Sequence, residues 1–278
     1  MAHYLITGGT GFLGRTLIKR IISGNKITVV ARNEGKLLEL KQQFPSIRIL
    51  AGDISKPFVA RQACHDINGV YHLAGFKHVG MAEKQTLECY ETNVMGTFNI
   101  LQAIDRESVD FIVGTSTDKA CRVAGVYGAS KLLMEGLFRQ FEAVNKQTRF
   151  RIVRYGNVIY STGSVLCRWR DLIKANRDLV ITDPESTRFY WTASEAVELL
   201  LESVDAVTDC SPYVPAMKSI VLADLLSAMI SKYNPAYTAN VIVTGLQPGE
   251  NKHEQIAHWL PASDVAQKYT VDEITQLI

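Results

Sequence analysis

Long apolar runs are missing from this chain. None approaches the roughly 18 residues that a membrane-spanning helix needs, so no membrane partner is expected. Cysteine is scarce and scattered: Cys64, Cys89, Cys121, Cys167 and Cys210 form no Cys-x-x-Cys pair, and their number is odd. That pattern speaks against a disulfide framework and a zinc site and for reduced thiols in a cytoplasmic protein; no metal site is expected. Charge of one sign is also lacking. Lys and Arg number 30 against 28 Asp and Glu, a net +2, which argues against nucleic acid as an obligatory partner. There is no internal repeat and no low-complexity linker. A strand is expected from His3 onward, which leaves no room for a signal peptide. What remains is a chain of 278 residues, 47% hydrophobic and 21% charged, enough for one large or two modest domains with a real core.

The first motif sits at the amino end. His3–Thr7 reads as a buried strand, Gly8-Gly9-Thr10-Gly11-Phe12-Leu13-Gly14 follows, and Leu17, Ile18, Ile21 and Ile22 continue at helical spacing. Strand, glycine turn and helix are the context of a dinucleotide fingerprint, in which the glycines permit a tight turn, close approach to a pyrophosphate and close helix packing. The helix amino end then faces the phosphates. Gly8, Thr10, Gly11, Phe12, Leu13 and Gly14 are therefore candidate cofactor contacts. The second strand, Ile27–Ala31, ends at Arg32, where an acidic residue would hold a free ribose 2′-hydroxyl. A guanidinium there favours a 2′-phosphate, hence NADP, with NAD still open; the plainer reading of Arg32 is a solvated side chain. A helix over 34–44 and a strand over 47–50 lead to Gly52-Asp53-Ile54, where Asp53 either accepts from an adenine amino group or caps the next helix. Val70–Gly75 reads as the fourth strand and its exit turn, with small Ala74 and Gly75 letting a cofactor lie close. Lys77, His78 and Glu83 stand at the same mouth, equally readable as an ordinary polar loop. A helix over 87–105 carries Asn93, a poor mid-helix residue suited to a buried hydrogen-bonding task.

The centre of the chain concentrates the chemistry. Phe111–Gly114 reads as a buried parallel strand, and Ser116-Thr117-Asp118-Lys119-Ala120 lies just past its carboxyl end, where open α/β sheets bind ligands. Tyr127 and Lys131, in a helix expected over 127–145, are four apart and share a face. An ammonium near a phenol favours the phenolate, a general base for a sugar hydroxyl. Taken alone, a Tyr-x-x-x-Lys pair is more often a packed ring beside a solvated amine; the nucleotide motif changes that balance. Phe150–Tyr155 forms the next strand, before Gly156-Asn157-Val158.

From Ile159 onward the alternation breaks into short elements. The expected fold is α/β: a doubly wound parallel sheet (Rossmann) over 1–158, binding NADP, with a smaller C-terminal substrate-binding domain over 159–278. Part of 187–207 is expected to pack back on the first domain. In the smaller domain Ser164 and Val165 offer backbone donors to a nucleotide, Arg188 could clamp a diphosphate, and Glu250, in a Pro-Gly turn after a strand over 240–244, could take two ribose hydroxyls. Each of these, alone, reads more readily as a surface residue.

These residues together resemble the extended short-chain dehydrogenase/reductases. More narrowly, they resemble the soluble UDP-N-acetylglucosamine 4,6-dehydratases of polysaccharide biosynthesis, the group that inverts C5. The matching blocks run nearly end to end: Thr7–Gly14, Lys77–Val79, Thr92–Val94 with Gly96, Ser116–Ala120, Tyr127–Lys131, Arg154–Val158, Thr182–Pro184 with Thr187–Phe189, and Pro248–Glu250 with His253 and Glu254. The glycine turn and Tyr-x-x-x-Lys belong to the whole superfamily; the Ser-Thr-Asp-Lys-Ala, Arg-Tyr-Gly-Asn-Val and Thr-Arg-Phe blocks are specific to this group. The sequence departs from the pattern at Gln247 and Asn251, where two cations are usual, at Thr162 for an Arg, and at Gly80 for a Pro.

The resemblance implies an internal redox dehydration of a nucleotide sugar, UDP-N-acetylglucosamine first among them, in a homo-oligomer. It adds Ile54, Leu73, Lys77, Asn93, Tyr155 and Asn157 to the cofactor contacts, besides Tyr127 and Lys131. It adds Lys77, His78 and Asn157 to the substrate contacts, besides Ser164, Val165, Arg188 and Glu250. Tyr127, its pKa lowered by Lys131, would remove the 4-hydroxyl proton as the C4 hydride leaves. Lys119, kept neutral by burial beside Lys131, would take the C5 proton; Asp118 would protonate the departing 6-hydroxyl, and Thr117 would hydrogen-bond the 4-oxygen. A 4-epimerase or 4-reductase needs Tyr127 and Lys131 but not Asp118 and Lys119. A dehydratase that stops at a 5,6-alkene and a non-catalytic NADP sensor are the further alternatives.

Overall fold

The computed structural model describes residues 1–278. The elements run β1 (His3–Thr7), α1 (Phe12–Ile21), β2 (Lys26–Ala31), α2 (Glu34–Gln43), β3 (Arg48–Ala51), α3 (Pro57–Cys64) and β4 (Gly69–His72). They continue with α4 (Val79–Lys84), α5 (Thr86–Tyr90), a π turn (Glu91–Met95), α6 (Gly96–Ile104), β5 (Phe111–Thr117), a 3₁₀ turn (Asp118–Ala120), α7 (Val126–Val144) and β6 (Arg149–Tyr155). The rest comprises β7 (Asn157–Val158), α8 (Val165–Lys174), β8 (Leu179–Ile181), β9 (Thr187–Trp191), α9 (Ala193–Ala206), β10 (Pro212–Tyr213), β11 (Ser219–Val221), α10 (Leu222–Tyr233), β12 (Val241–Val243) and α11 (Val271–Leu277).

Seven strands form one sheet in the order β10-β6-β5-β4-β1-β2-β3, every neighbouring pair parallel. The order reverses beside β1, so a crevice opens there at the carboxyl ends of the strands, the place where doubly wound sheets bind ligands. The apolar strands are apolar on both faces because helices cover both. In β1, Leu5 belongs to one core and Ile6 to the other. One core collects α1, α2 and α9; the opposite one collects α3, α6 and α7. A third core, around Trp169, Tyr190, Leu225 and Met229, holds the smaller unit together, with β11-β9-β7 and β12-β8 as its small sheets. Helix α9 returns from that unit to pack on α1 and β6, and β10 becomes the edge strand beside β6. No helix is long and apolar enough to cross a membrane.

The helix expected over 87–105 is interrupted. The π turn at Glu91–Met95 divides it, and such a wide turn swings a residue out of helical register. Here it carries Asn93 inward to complete burial. Gly96 follows because a Cβ there would come within 3.0 Å of the Ile54 side chain.

Candidate active site

The dinucleotide turn is built as the glycine spacing requires. Gly8 takes φ +69°, and a Cβ on it would lie 2.8 Å from the Ala74 backbone; one on Gly14 would lie 2.5 Å from Gly9 Cα. Substitution at either would force β1, α1 and the exit of β4 apart. No side chain caps α1, so its first N–H groups are free for an anion. A polar chain ties the turn to β4. Ala74 N–H donates to Thr7 Oγ1, Thr7 pairs with His72 Nδ1 at 2.8 Å, and His72 Nε2 pairs with Thr97 Oγ1 at 2.9 Å. Burial, with Lys131 nearby, pushes His72 down to about 3, so the imidazole is neutral. Arg32 is exposed at the end of β2. An uncapped helix, a glycine cradle and an exposed guanidinium together fit a dinucleotide.

Beyond β5 the chain makes a 3₁₀ turn that places two charges side by side. Asp118 is fully buried. Its Oδ1 accepts from Thr117 Oγ1 at 2.9 Å and from Lys119 Nζ at 3.0 Å, and its Oδ2 has no partner. Lys119 Nζ also lies 3.1 Å from Glu254 Oε1, and Arg188 Nε lies 4.0 Å from the same oxygen. Two carboxylates and two cations thus share a largely buried site, with only Lys119 partly exposed. Gly128 lets α7 come close, since a Cβ there would sit 2.3 Å from the Lys119 carbonyl. Burial alone would lower the Lys119 pKa, but Asp118 and Glu254 outweigh it and raise it above the ordinary lysine value. The expectation of a neutral Lys119 is therefore corrected: its neighbours are carboxylates, not Lys131, and it rests as an ammonium.

Tyr127 and Lys131 stand on one face of α7, but not as the phenolate pair expected. Burial pushes Tyr127 up to about 12, with Lys119 and the Thr117 hydroxyl pulling the other way. The cation that acts on the phenol is thus Lys119. Lys131 Nζ donates to the Thr115 carbonyl at 2.8 Å and lies against Gly75, where a Cβ would be 3.2 Å away. Burial pushes this lysine down to about 8.

The chain matches the polysaccharide biosynthesis protein family over residues 4–277. It belongs to that family. It is 35% identical, over 91% of its length and 76% of the relative's, to a protein of Campylobacter jejuni subsp. jejuni named UDP-N-acetylglucosamine 4,6-dehydratase (inverting). A UDP-glucose 4-epimerase of Rickettsia bellii is 31% identical over 91% and 76% of the two chains. Among solved structures, Pen from Bacillus thuringiensis superposes with a TM-score of 0.94 at 28% identity, covering 100% of this chain and 96% of that one. A dTDP-glucose 4,6-dehydratase of Streptomyces venezuelae, with NAD bound, shares the fold at TM-score 0.80 and 17% identity, over 99% and 96% of the chains.

Within this member of the polysaccharide biosynthesis family, the remaining candidates divide. Asn93 has no amide group to spare: Oδ1 accepts from Phe76 N, and Nδ2 donates to Phe76 O and Ser130 Oγ. It fixes the exit of β4 against α7 instead of touching a cofactor through its side chain. Tyr155 is buried, with its hydroxyl bonded to the Ala196 carbonyl, so its side chain faces α9 and not the cleft. The Ile54 side chain lies in the core, and its carbonyl accepts from Asn99 Nδ2 at 3.0 Å. Asp53 Oδ1 accepts from Ser55 N at 2.9 Å, shaping the turn, while Lys56 is the cap of α3. Leu73, half-buried, packs on the core beneath the cleft. Lys77 Nζ reaches the Thr162 carbonyl at 2.9 Å, and His78 lies 3.3 Å from where a Gly163 Cβ would stand. Glu83 Oε1 accepts from Val126 N at 2.7 Å and anchors the start of α7.

Ser164 and Val165 begin α8, and Asn157 lies beside the buried Tyr190 hydroxyl. Arg188 is buried, with Nη1 on the Thr187 and Lys252 carbonyls and Nε toward Glu254; it faces the acid–base cluster rather than an open mouth. Glu250 Oε2 accepts from Gln247 N within its own turn. Two departures from the motif pattern touch each other, since a Cβ on Gly80 would lie 2.7 Å from Gln247 Oε1.

Reading the sequence by motif gave Glu254 no role, yet it is fully buried against Lys119. The usable signal was its position in the His253-Glu254 block. Arg154 is likewise structural in a way spacing does not show. It grips Glu135 of α7 through Nε and Nη2 at 2.7 Å and the Ile256 carbonyl at 3.0 Å, and so joins the sheet, α7 and the segment that carries Glu254.

Proposed function

We propose that the protein is an NADP-dependent nucleotide-sugar 4,6-dehydratase, a hydro-lyase acting on UDP-N-acetylglucosamine and inverting C5. The observation that carries this reading is the buried Asp118–Lys119 pair set beside Tyr127. An epimerase or reductase uses the phenol and Lys131 but has no task for an acid–base pair next to them. The names of relatives in the same family support the same reading.

Gly8, Thr10, Gly11, Phe12, Leu13 and Gly14 would hold the cofactor pyrophosphate at the open end of α1, Arg32 a 2′-phosphate, and Lys131 the ribose. The nicotinamide, when bound in its oxidised form, supplies a hydride acceptor and a positive charge that favours the phenolate. Tyr127 takes the proton of the 4-hydroxyl, and the resulting ketone acidifies C5–H. Asp118 and Lys119 share one proton across 3.0 Å. When that proton passes to Asp118, Lys119 is free to take the C5 proton, and Asp118 delivers its own to the departing 6-hydroxyl. Water leaves and the pair again holds one proton, so the step needs no outside acid or base. With the bound cofactor supplying hydride chemistry, the pair would give its proton to C5 and recover one from Tyr127, completing a 4-keto-6-deoxy sugar nucleotide.

The test is a Lys119→Ala protein and an Asp118→Asn protein assayed with UDP-N-acetylglucosamine. Both are expected to lose water release while retaining NADP binding. Normal water release by either removes the acid–base assignment.

A further inference from the structure

The buried carboxylate opposite Asp118 has no part in the steps above, and the structure shows how firmly it is placed. Glu254 has zero exposure. Its Oε1 is 3.1 Å from Lys119 Nζ, and its Oε2 accepts from Asn251 Nδ2 at 3.3 Å. Asn251 also donates to the Arg122 carbonyl at 3.0 Å, so the amide braces Glu254 from the far side. The backbone is pinned as well. Glu254 N donates to Ser263 Oγ at 2.8 Å, Ser263 N donates back to the Glu254 carbonyl at 2.7 Å, and Ser263 Oγ contacts Thr187 Oγ1. His253 Nδ1 closes on that same threonine at 2.8 Å.

We propose that Glu254 is a positioning residue that, from the side opposite Asp118, fixes the Lys119 ammonium and thereby sets the pH at which the Asp118–Lys119 pair loses its shared proton. This rests on the dehydratase reading for its catalytic consequence, though the ion pair itself does not. The groups that face Lys119 are Asp118 on the 3₁₀ turn, Glu254 on the C-terminal segment, Arg188 and Tyr190 on β9, and Tyr127 on α7. Only Asp118 and Glu254 favour its charge; Arg188 opposes it. Removing one of two anions beside a buried cation lowers the pH at which that cation deprotonates. Activity requires one proton on the pair, whichever partner holds it. Loss of Glu254 charge therefore draws the alkaline limit of activity downward and leaves the acceptor and donor atoms in place.

The experiment has two readouts. The first is the pH–rate profile of water loss from UDP-N-acetylglucosamine by wild type, Glu254→Gln and Glu254→Asp. The glutamine variant is expected to lose activity at a pH lower by about 1–2 units, with KM changed less than about twofold, and the aspartate variant to recover part of the shift. The second is an NMR titration of Lys119, assigned with Lys119→Met, in the substrate-free proteins. Its midpoint is expected to fall in Glu254→Gln by the same margin. Should that variant fail to fold, Asn251→Ala, which removes only the brace, is expected to move both readouts in the same direction by less. An unchanged Lys119 titration and an unchanged alkaline limit in a folded variant overturn the proposal. A wild type that releases no water, with a Lys119 midpoint that still falls on removal of Glu254, overturns the dehydratase reading and upholds the ion pair.

Discussion

Two lysines largely withdrawn from water, Lys119 just after β5 and Lys131 on α7, meet opposite fates. Lys119 lies between Asp118 and Glu254 and is pushed up despite its burial. Lys131, more deeply buried, finds only the Thr115 carbonyl and the Met134 sulfur, and is pushed down to about 8. The same side chain thus rests as an ammonium in one place and is a more readily deprotonated amine in the other. The local supply of carboxylate decides it, because desolvation penalises a charge wherever no partner offsets it. For the chemistry the consequence is a division of labour. Lys119 keeps a proton in play at the reacting carbons, and Lys131 waits for an electronegative partner such as a ribose hydroxyl.

The contrast breaks most visibly in activity. Lys119→Met is expected to reduce water loss by about 10²–10⁴-fold, the usual worth of a positioned proton-transfer group, as measured by mass spectrometry of the sugar nucleotide. Activity within a few-fold of wild type would mean that Lys119 serves structure alone. In stability the two lysines are expected to differ in sign. Lys119→Met leaves Asp118 and Glu254 facing each other without their cation, and urea unfolding at pH 7 should show a loss of about 3–5 kcal/mol.

For Lys131 the sign follows from its depressed folded pKa. Below about 8 the ammonium is charged in both states, and the folded state bears the full desolvation penalty, about 3 kcal/mol. As pH rises from the folded value toward the ordinary 10.5, the penalty fades. Lys131→Met should therefore stabilise the cofactor-free protein at pH 7 and confer nothing extra above that range. A destabilised Lys131→Met protein at pH 7 would show that packing, not charge, governs the site.

The bracing beneath both lysines can be probed through Glu135→Gln. It halves a buried ion pair with Arg154 and should cost about 3 kcal/mol in a urea melt. The smallest expected effect lies far from the contrast. Arg32→Ala should weaken NADP relative to NAD by about tenfold, the worth of a charge-assisted hydrogen bond, in a binding titration with both cofactors.

Much of this architecture is written in the sequence because it is local. The glycine turn follows from positions that admit no Cβ, and the alternation of apolar strands and helices from β1 to β6 follows from two-sided burial. Asp118, Lys119, Tyr127 and Lys131 sit close together in the chain, so their meeting needs only one strand, one turn and one helix. The protonation of Lys119 was only half legible: Asp118 adjoins it in the chain, but Glu254 arrives from the far end through the Thr187, Ser263 and Arg154 contacts. The π turn at Asn93 escaped for the opposite reason: its apolar spacing satisfies an ordinary helix, and only the need to reach the Phe76 backbone widens it. Arg188 and Glu250 read in sequence as a diphosphate clamp and an acceptor for ribose hydroxyls; folding sets Arg188 against Glu254 and gives Glu250 only the Gln247 N–H of its own turn.

The central claim is most directly tested by incubating the purified protein with UDP-N-acetylglucosamine and trace NADP⁺ and weighing the sugar nucleotide. The account expects the loss of one water with no net formation of NADPH, and NMR of the product should then show a C6 methyl group and an inverted C5. A sugar nucleotide of unchanged mass, with this substrate and with other UDP- and dTDP-sugars alike, would contradict it.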